Sequence, residues 1–182
     1  MSPDPAKPLP DILGPDLRVL FCGINPSLAS AARGHHFARP GNRFWPALAL
    51  AGFTPRRLTP DEDVLLPSLG LGITNVVSRP TRAASELPAA ELHAGYAALG
   101  ELVADVAPAV VAMVGIGAWR TVSGRRDAGV GLQSSAQVGG RPVWVLPNPS
   151  GLNASYQLPE LARLYGELRK FSGIAPSSAA LR

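Results

Sequence analysis

The chain has 182 residues, 46% hydrophobic and 16% charged, a balance that fits one globular domain and excludes a disordered polypeptide. Seventeen Lys and Arg against thirteen Asp and Glu leave a net charge of +4, modest but compatible with a polyanionic partner through counterion release. The single cysteine, Cys22, excludes an internal disulfide and any Cys-ligated metal or iron–sulfur cluster, and no apolar run reaches the ~20 residues of a membrane span.

Residues 1–10 carry four prolines and little that could pack, so a flexible lead-in is expected there, followed by a single domain over 11–171. The N-terminus has no signal-peptide pattern, so a cytoplasmic protein is expected. Arg18–Gly23 reads as a first buried strand in which Cys22 is a packed, inert thiol. A helix is predicted over Arg43–Ala51, a second strand over Gly72–Val77, and a long helix over Ala89–Val106. Ala109–Gly115 and Pro142–Pro147 are the third and fourth strands. The last helix, Leu158–Phe171, carries Leu161, Leu164, Tyr165, Leu168 and Phe171 on one face. From Ser172 onward the Gly, Pro and Ser content predicts a flexible tail, 172–182.

Strands apolar on both faces suit a parallel sheet covered by helices on either side. Strand and helix alternate, so the expected fold is α/β: a three-layer α/β/α sandwich with a short, mostly parallel central sheet. In such sheets ligands gather at the carboxyl ends of the strands. Two of those ends bear Asn-Pro: Gly23-Ile24-Asn25-Pro26-Ser27 after the first strand and Asn148-Pro149-Ser150-Gly151-Leu152-Asn153 after the fourth. Pro26 fixes its own φ and keeps Asn25 out of the helical region, holding its amide at the strand tip. Asn-Pro is equally a plain turn starter.

Four segments in register carry a resemblance: LRVLFCGINPSL (17–28), GHHFARPGNRFW (34–45), GITNVVSRPT (72–81) and VWVLPNPSGLN (143–153). Together they resemble the mismatch-specific uracil-DNA glycosylase and thymine-DNA glycosylase family of the uracil-DNA glycosylase superfamily. The resemblance implies an α/β/α fold and a monofunctional enzyme. Such an enzyme flips uracil, chiefly from G:U mismatches, out of double-stranded DNA and hydrolyses its N-glycosidic bond to begin base excision repair. Ethenocytosine and mismatched thymine are further candidate substrates. Asn25 then corresponds to the catalytic Asn that orients water. Ile24, Ser30, Phe37, Asn75 and Asn148 face the base, with Phe37 as the stacking platform. Pro149, Ser150, Gly151, Leu152 and Asn153 form the loop that enters the duplex, with Leu152 as its wedge and Gly151 allowing backbone to approach DNA. No metal, no cofactor and no membrane are expected, and the protein is expected to act as a monomer.

The chain departs from the resembled pattern at Ser27, where glycine is usual, and at Asn153, where a smaller residue is common. His35 and His36 are adjacent but lack the further Cys or His of a metal site, and His93 reads as a surface residue. Arg33, Arg39, Arg43, Arg79 and Arg82 flank these loops and are candidates for phosphate contacts. A lesion-binding protein of the same fold with little chemistry is the alternative. A nucleotide-binding α/β protein is a third reading, disfavoured because no glycine-rich phosphate loop follows a strand.

Overall fold

The computed structural model describes residues 7–177. One sheet holds β1 (Val19–Gly23), β2 (Leu71–Asn75), β3 (Val110–Val114), β4 (Gly131–Val138) and β5 (Arg141–Leu146), in the spatial order β2-β1-β3-β5-β4. All neighbours pair in parallel except β4 with β5. Around it lie α1 (Leu28–Arg33), α2 (Phe44–Leu50), α3 (Ala89–Val106), α4 (Ile116–Ser123) and α5 (Leu158–Ser172), with 3-10 segments at Pro60–Leu69 and Ala84–Glu86.

The period of two along each strand divides the core into two halves. Val19 and Phe21, Leu71 and Ile73, Val110 and Ala112, and Trp144 and Leu146 pack on one face with α2 and α5. Leu20 and Cys22, Val111 and Met113, and Val143 and Val145 pack on the other with α3 and α4. Each fully buried Leu, Ile, Val or Phe contributes about 1.5–3 kcal/mol of burial. The expected three-layer α/β/α sandwich is the observed one. Cys22 is fully buried, and burial drives its thiol far above the ordinary range, so it stays protonated. Among the described residues no helix is long and apolar enough to cross a membrane.

Several elements differ from the expectation. β4 has no counterpart in it: this edge strand pairs only with β5, and its residues alternate between exposed and half-buried, so no apolar run marks it. α1 and α4 span six and eight residues, too short to show a helical period. β2 ends at Asn75; past it the Val76 amide still donates to the Gly23 carbonyl at the tip of β1, and the Val77 amide donates to the Ile24 carbonyl in the loop that follows.

The domain edges are wider than 11–171. Leu9 is buried, and the Pro10 carbonyl accepts a hydrogen bond from His36 at 2.8 Å. At the other end Ser172 closes α5 in a buried position, Ile174 packs on the core, and the Ser177 amide donates to the Gly52 carbonyl. Residues 1–6 and 178–182, the remainder of both expected tails, lie outside the described residues.

Gly95 sets how closely α3 lies on the sheet. A Cβ there would stand 2.1 Å from the Val76 carbonyl oxygen. In a free helix Gly→Ala stabilises by about 1 kcal/mol. Here the sign reverses, and Gly95→Ala is expected to destabilise by about 2 kcal/mol or more through overpacking. Urea unfolding measures this, and an unchanged midpoint would show that α3 yields at no cost.

Candidate active site at the carboxyl edge of the sheet

Parallel pairing of β1 with β2 and β3 brings their carboxyl ends to one edge, and the topology reverses between β1 and β3. A cleft of about 180 Å³ opens there, lined by the tips of β1 (Gly23–Ser27), β2 (Asn75) and β3 (Val114) and by Asn148 and Ser150 after β5. Of the sequence-predicted residues, Ile24, Asn25, Ser30, Phe37, Asn75, Asn148 and Ser150 line this one cleft. Pro149, Gly151, Leu152 and Asn153 belong to the loop on its rim; Pro149 is buried, whereas Leu152 is 74% exposed at the tip.

Asn25 is held in one orientation. Its Nδ2 donates to the Arg79 carbonyl at 3.0 Å and to Thr81 Oγ1 at 2.7 Å, and the Thr81 hydroxyl donates onward to the Ala83 carbonyl. A carbonyl can only accept, and Thr81 has already given away its proton, so the NH₂ end must face both. The carbonyl end, Oδ1, is thereby left as the free acceptor of the amide. Thr81 is a residue to which sequence reasoning gave no role, although it closes the segment GITNVVSRPT.

Asn75 is oriented in the same manner. His36 Nε2 lies 2.8 Å from the Pro10 carbonyl, which puts the ring proton on Nε2 and leaves the Nδ1 lone pair toward Asn75 Nδ2 at 3.4 Å. Asn75 Oδ1 sits over Gly23, 2.6 Å from where a Cβ would stand, so glycine at the tip of β1 makes room for it. His36 is buried, and that burial, reinforced weakly by His35, lowers its pKa below the ordinary 6.5; the Pro10 carbonyl and the Asp63 and Asp11 carboxylates oppose the shift without cancelling it. His35 Nδ1 contacts the buried Asp63 carboxylate at 3.1 Å, and His93 is exposed.

Phe37 takes a left-handed backbone, φ 52°, a conformation costly for a bulky residue and met mainly where function or packing demands it. Phe44 stacks on its ring with centroids 4.0 Å apart and planes at 18°. Phe44 in turn meets Phe21 and Trp45 edge-on at 5.2 Å, which ties the cleft wall to the core. Ser30 is 3% exposed; its hydroxyl accepts from the Ala38 amide, bracing the segment that carries Phe37. Ser27 is the N-cap of α1: its φ is −72° and its Oγ accepts from the Ser30 amide at 3.1 Å. Glycine is therefore not required at that position.

The rim loop braces itself. Asn148 Oδ1 accepts from the Ser150 amide, Ser150 Oγ from the Leu152 amide, and Asn153 Oδ1 from the Ser155 amide, while Asn153 Nδ2 donates to the Asn148 carbonyl. Asn153 is thus a brace within the loop. A Cβ on Gly151 would lie 2.6 Å from the Gly41 carbonyl oxygen, so glycine here lets the loop pack closely on its own chain.

The arginines divide. Arg43, an expected phosphate contact, is spent on backbone carbonyls of residues 151–156, and Arg79 is ion-paired with Glu91 at 2.8 Å. Arg39 and Arg82 line the cleft, are exposed and make no ion pair among the described residues; Arg33 is exposed nearby in sequence on α1. No Asp or Glu lines the cleft, and no group of three or more His, Cys, Asp or Glu that could hold a metal occurs among the described residues.

Two comparisons bear on this arrangement. The sequence profile of the uracil DNA glycosylase superfamily matches residues 10–169. The solution NMR structure of a candidate uracil DNA glycosylase from Methanosarcina acetivorans has the same fold, with a TM-score of 0.59 at 18% identity over 90% of this chain and 98% of that one.

The buried, neutral His36 links stability to pH. Because its native pKa lies below 6.5, the unfolded chain takes up the proton first. Stability is therefore expected to fall as pH drops below about 6.5 and to level off once the native ring also titrates. Melts of the protein and of His36→Gln between about pH 7.5 and 5 measure this. The variant should lose part of the slope; identical slopes would remove His36 from the linkage.

Proposed function

Because the chain belongs to the uracil DNA glycosylase superfamily, we propose that this DNA glycosylase takes uracil, chiefly from G:U mismatches, out of duplex DNA and hydrolyses its N-glycosidic bond. The enzyme acts as a monomer and uses neither metal nor cofactor. The observation that carries the reading is the fixed amide of Asn25 at the cleft mouth, with both of its N–H partners acting as acceptors.

Cleavage of a deoxyuridine passes through a sugar with oxocarbenium character and a uracil anion as leaving group. The C1′–N1 bond breaks with its electron pair going to the base; water adds to C1′ and loses its proton to solvent or to the departing base. An amide is too weak a base to take that proton early, but Oδ1 of Asn25 can hold the water on the line of attack. The extruded uracil would lie on the face of Phe37 that Phe44 leaves free, with its polar edge toward Asn75. N–H donors of the cleft steady the charge that develops on the base. With no carboxylate among the described residues of the cleft, the acceleration comes from positioning and leaving-group stabilisation, so turnover is slow. Leu152, exposed at the tip of a braced loop, fills the gap in the stack, and the unstacking it opposes costs least at a mismatch.

Duplex oligonucleotides with U opposite G, U opposite A, T opposite G, or ethenocytosine, cleaved with alkali after incubation, test the reading. Cutting is expected first at U opposite G. Binding of lesion duplexes with no cutting would favour the lesion-binding alternative. Asn25→Ala should slow single-turnover cleavage by roughly 10²–10³ with DNA binding retained, the scale for loss of one stabilising group. Thr81→Val removes the acceptor that fixes the amide and should cost about tenfold in the same rate, with little effect on Kd for DNA. A Thr81→Val enzyme of full activity would mean that the Arg79 carbonyl alone orients Asn25.

A further inference from the structure

The interaction that joins the wedge loop to the base pocket is made by Arg43. This residue is the N-cap of α2, directly before Phe44. Its backbone amide donates to the Pro149 carbonyl at 2.9 Å. From its side chain, Nη1 donates to the carbonyls of Asn153 at 3.0 Å and Tyr156 at 2.8 Å, and Nη2 donates to that of Gly151 at 3.2 Å. One residue therefore gathers four carbonyls from the 149–156 stretch, two of them on the immediate neighbours of Leu152.

A guanidinium suits this task and little else does. Its donors diverge in a fixed plane, so they reach separate acceptors at the same time. A lysine ammonium is a single point that cannot span three carbonyls without moving them. The loop also packs against the chain just before Arg43, since Gly151 lies against the Gly41 carbonyl. The next residue, Phe44, carries Phe37 on its ring face. The two machines of base extrusion, the plug and the platform, are thus mounted on adjacent residues of one helix start.

We propose that Arg43 is a positioning residue that holds the Leu152 loop in its duplex-entering shape, in register with the Phe37 platform. The proposal rests on the glycosylase reading given above for its catalytic consequence, but not for its structural one. Arg43 does not read a phosphate; its charge is turned inward to backbone carbonyls. Loss of the clamp leaves the water-holding amide and the base pocket in place, and removes the preformed wedge. The cost should then appear only where a base has to be taken out of a stack.

The test uses Arg43→Lys and Arg43→Gln, the second in case the lysine distorts α2, with folding checked by near-ultraviolet circular dichroism. Hydrogen exchange on the free protein should show the amides of Leu152, Asn153 and Ser155 exchanging about tenfold faster or more, while those of β1 and β3 are unchanged. Equal exchange in that loop would overturn the clamp whether or not the protein cuts DNA. In single-turnover assays both variants should lose about tenfold on U in a duplex, the scale of one or two charge-assisted hydrogen bonds, and stay within about twofold on U in a single strand. Leu152→Ala should show the same selective loss, and the double variant should be no worse than the poorer single one. Equal losses on both strands, or losses that multiply in the double variant, would overturn the positioning role. If the wild type cuts neither substrate, the glycosylase reading fails and the exchange result alone decides whether Arg43 clamps the loop.

Discussion

Parallel pairing on both sides of β1 is the constraint from which the rest follows. Its five residues are buried, and it is hydrogen-bonded to β2 on one side and β3 on the other. Parallel neighbours must all run the same way, so their carboxyl ends share one edge, and the connecting segments must cross back over the faces of the sheet. Those crossings supply α2 and the long segment to β2 on one face, and α3 on the other. The cleft exists because β1 sends its chain toward β2 while β3 leads away toward β5. At that reversal the loops part, and the chain leaving the carboxyl ends of β1, β2, β3 and β5 can contribute to the space between them.

What the loops then do with the space is a matter of directing amides. An Asn side chain is nearly symmetric in shape, and its two ends differ only in whether they donate or accept. Each of the cleft's two pivotal Asn residues meets partners that can only accept, or that accept because their own proton is committed elsewhere. For Asn25 these are the Arg79 carbonyl and the Thr81 hydroxyl. For Asn75 the partner is the Nδ1 lone pair of His36, whose proton is held on Nε2 by Pro10. The Pro10 carbonyl comes from a stretch that composition alone marks as a loose lead-in, yet it sets the tautomer of a ring that lines the cleft.

The strands that build the site were legible because they are apolar on both faces, a pattern that survives without any partner in view. The two Asn-Pro loops were legible for a related reason: Pro constrains the backbone locally, wherever the chain folds. β4 was not legible, since an edge strand has no reason to be apolar on either face, and its Gln133-Ser134-Ser135 reads as a loop. The contacts that Arg43 and Gly151 make within the chain were not legible for a different cause. An arginine near a pocket loop and a glycine at a loop tip carry the same local signal whether they face DNA or their own chain. Only the position of the Gly41 carbonyl and of the carbonyls of Gly151, Asn153 and Tyr156 reveals those inward contacts. Ser27 shows the converse: a departure from the resembled pattern whose backbone, at φ −72°, needs no glycine and whose hydroxyl gains an N-cap.

On the proposed reading, a cleft with no carboxylate among its described residues has to obtain its chemistry from geometry, and the distribution of polar bonds fits that economy. Where a strong base takes a proton from water, some freedom of the base is tolerable, because its pKa supplies driving force over a range of positions. Where an amide only orients water, a small misplacement costs as much as losing the group. The structure accordingly commits the Asn25 N–H groups, the Thr81 hydroxyl, the His36 proton, the Ser30 hydroxyl and both Nη groups of Arg43 to fixing positions within the protein. The groups at the cleft that make no hydrogen bond among the described residues include the Asn25 carbonyl oxygen, Asn75 Oδ1 and Asn148 Nδ2, beside the Phe37 ring and the exposed side chains of Arg39 and Arg82. On the proposed reading these include a water site, a stacking surface and two cations for a phosphate backbone. On the same proposed reading, a base that is hard to extrude reaches the site more rarely, so a preference for weakly paired uracil would arise before any contact with its polar edge.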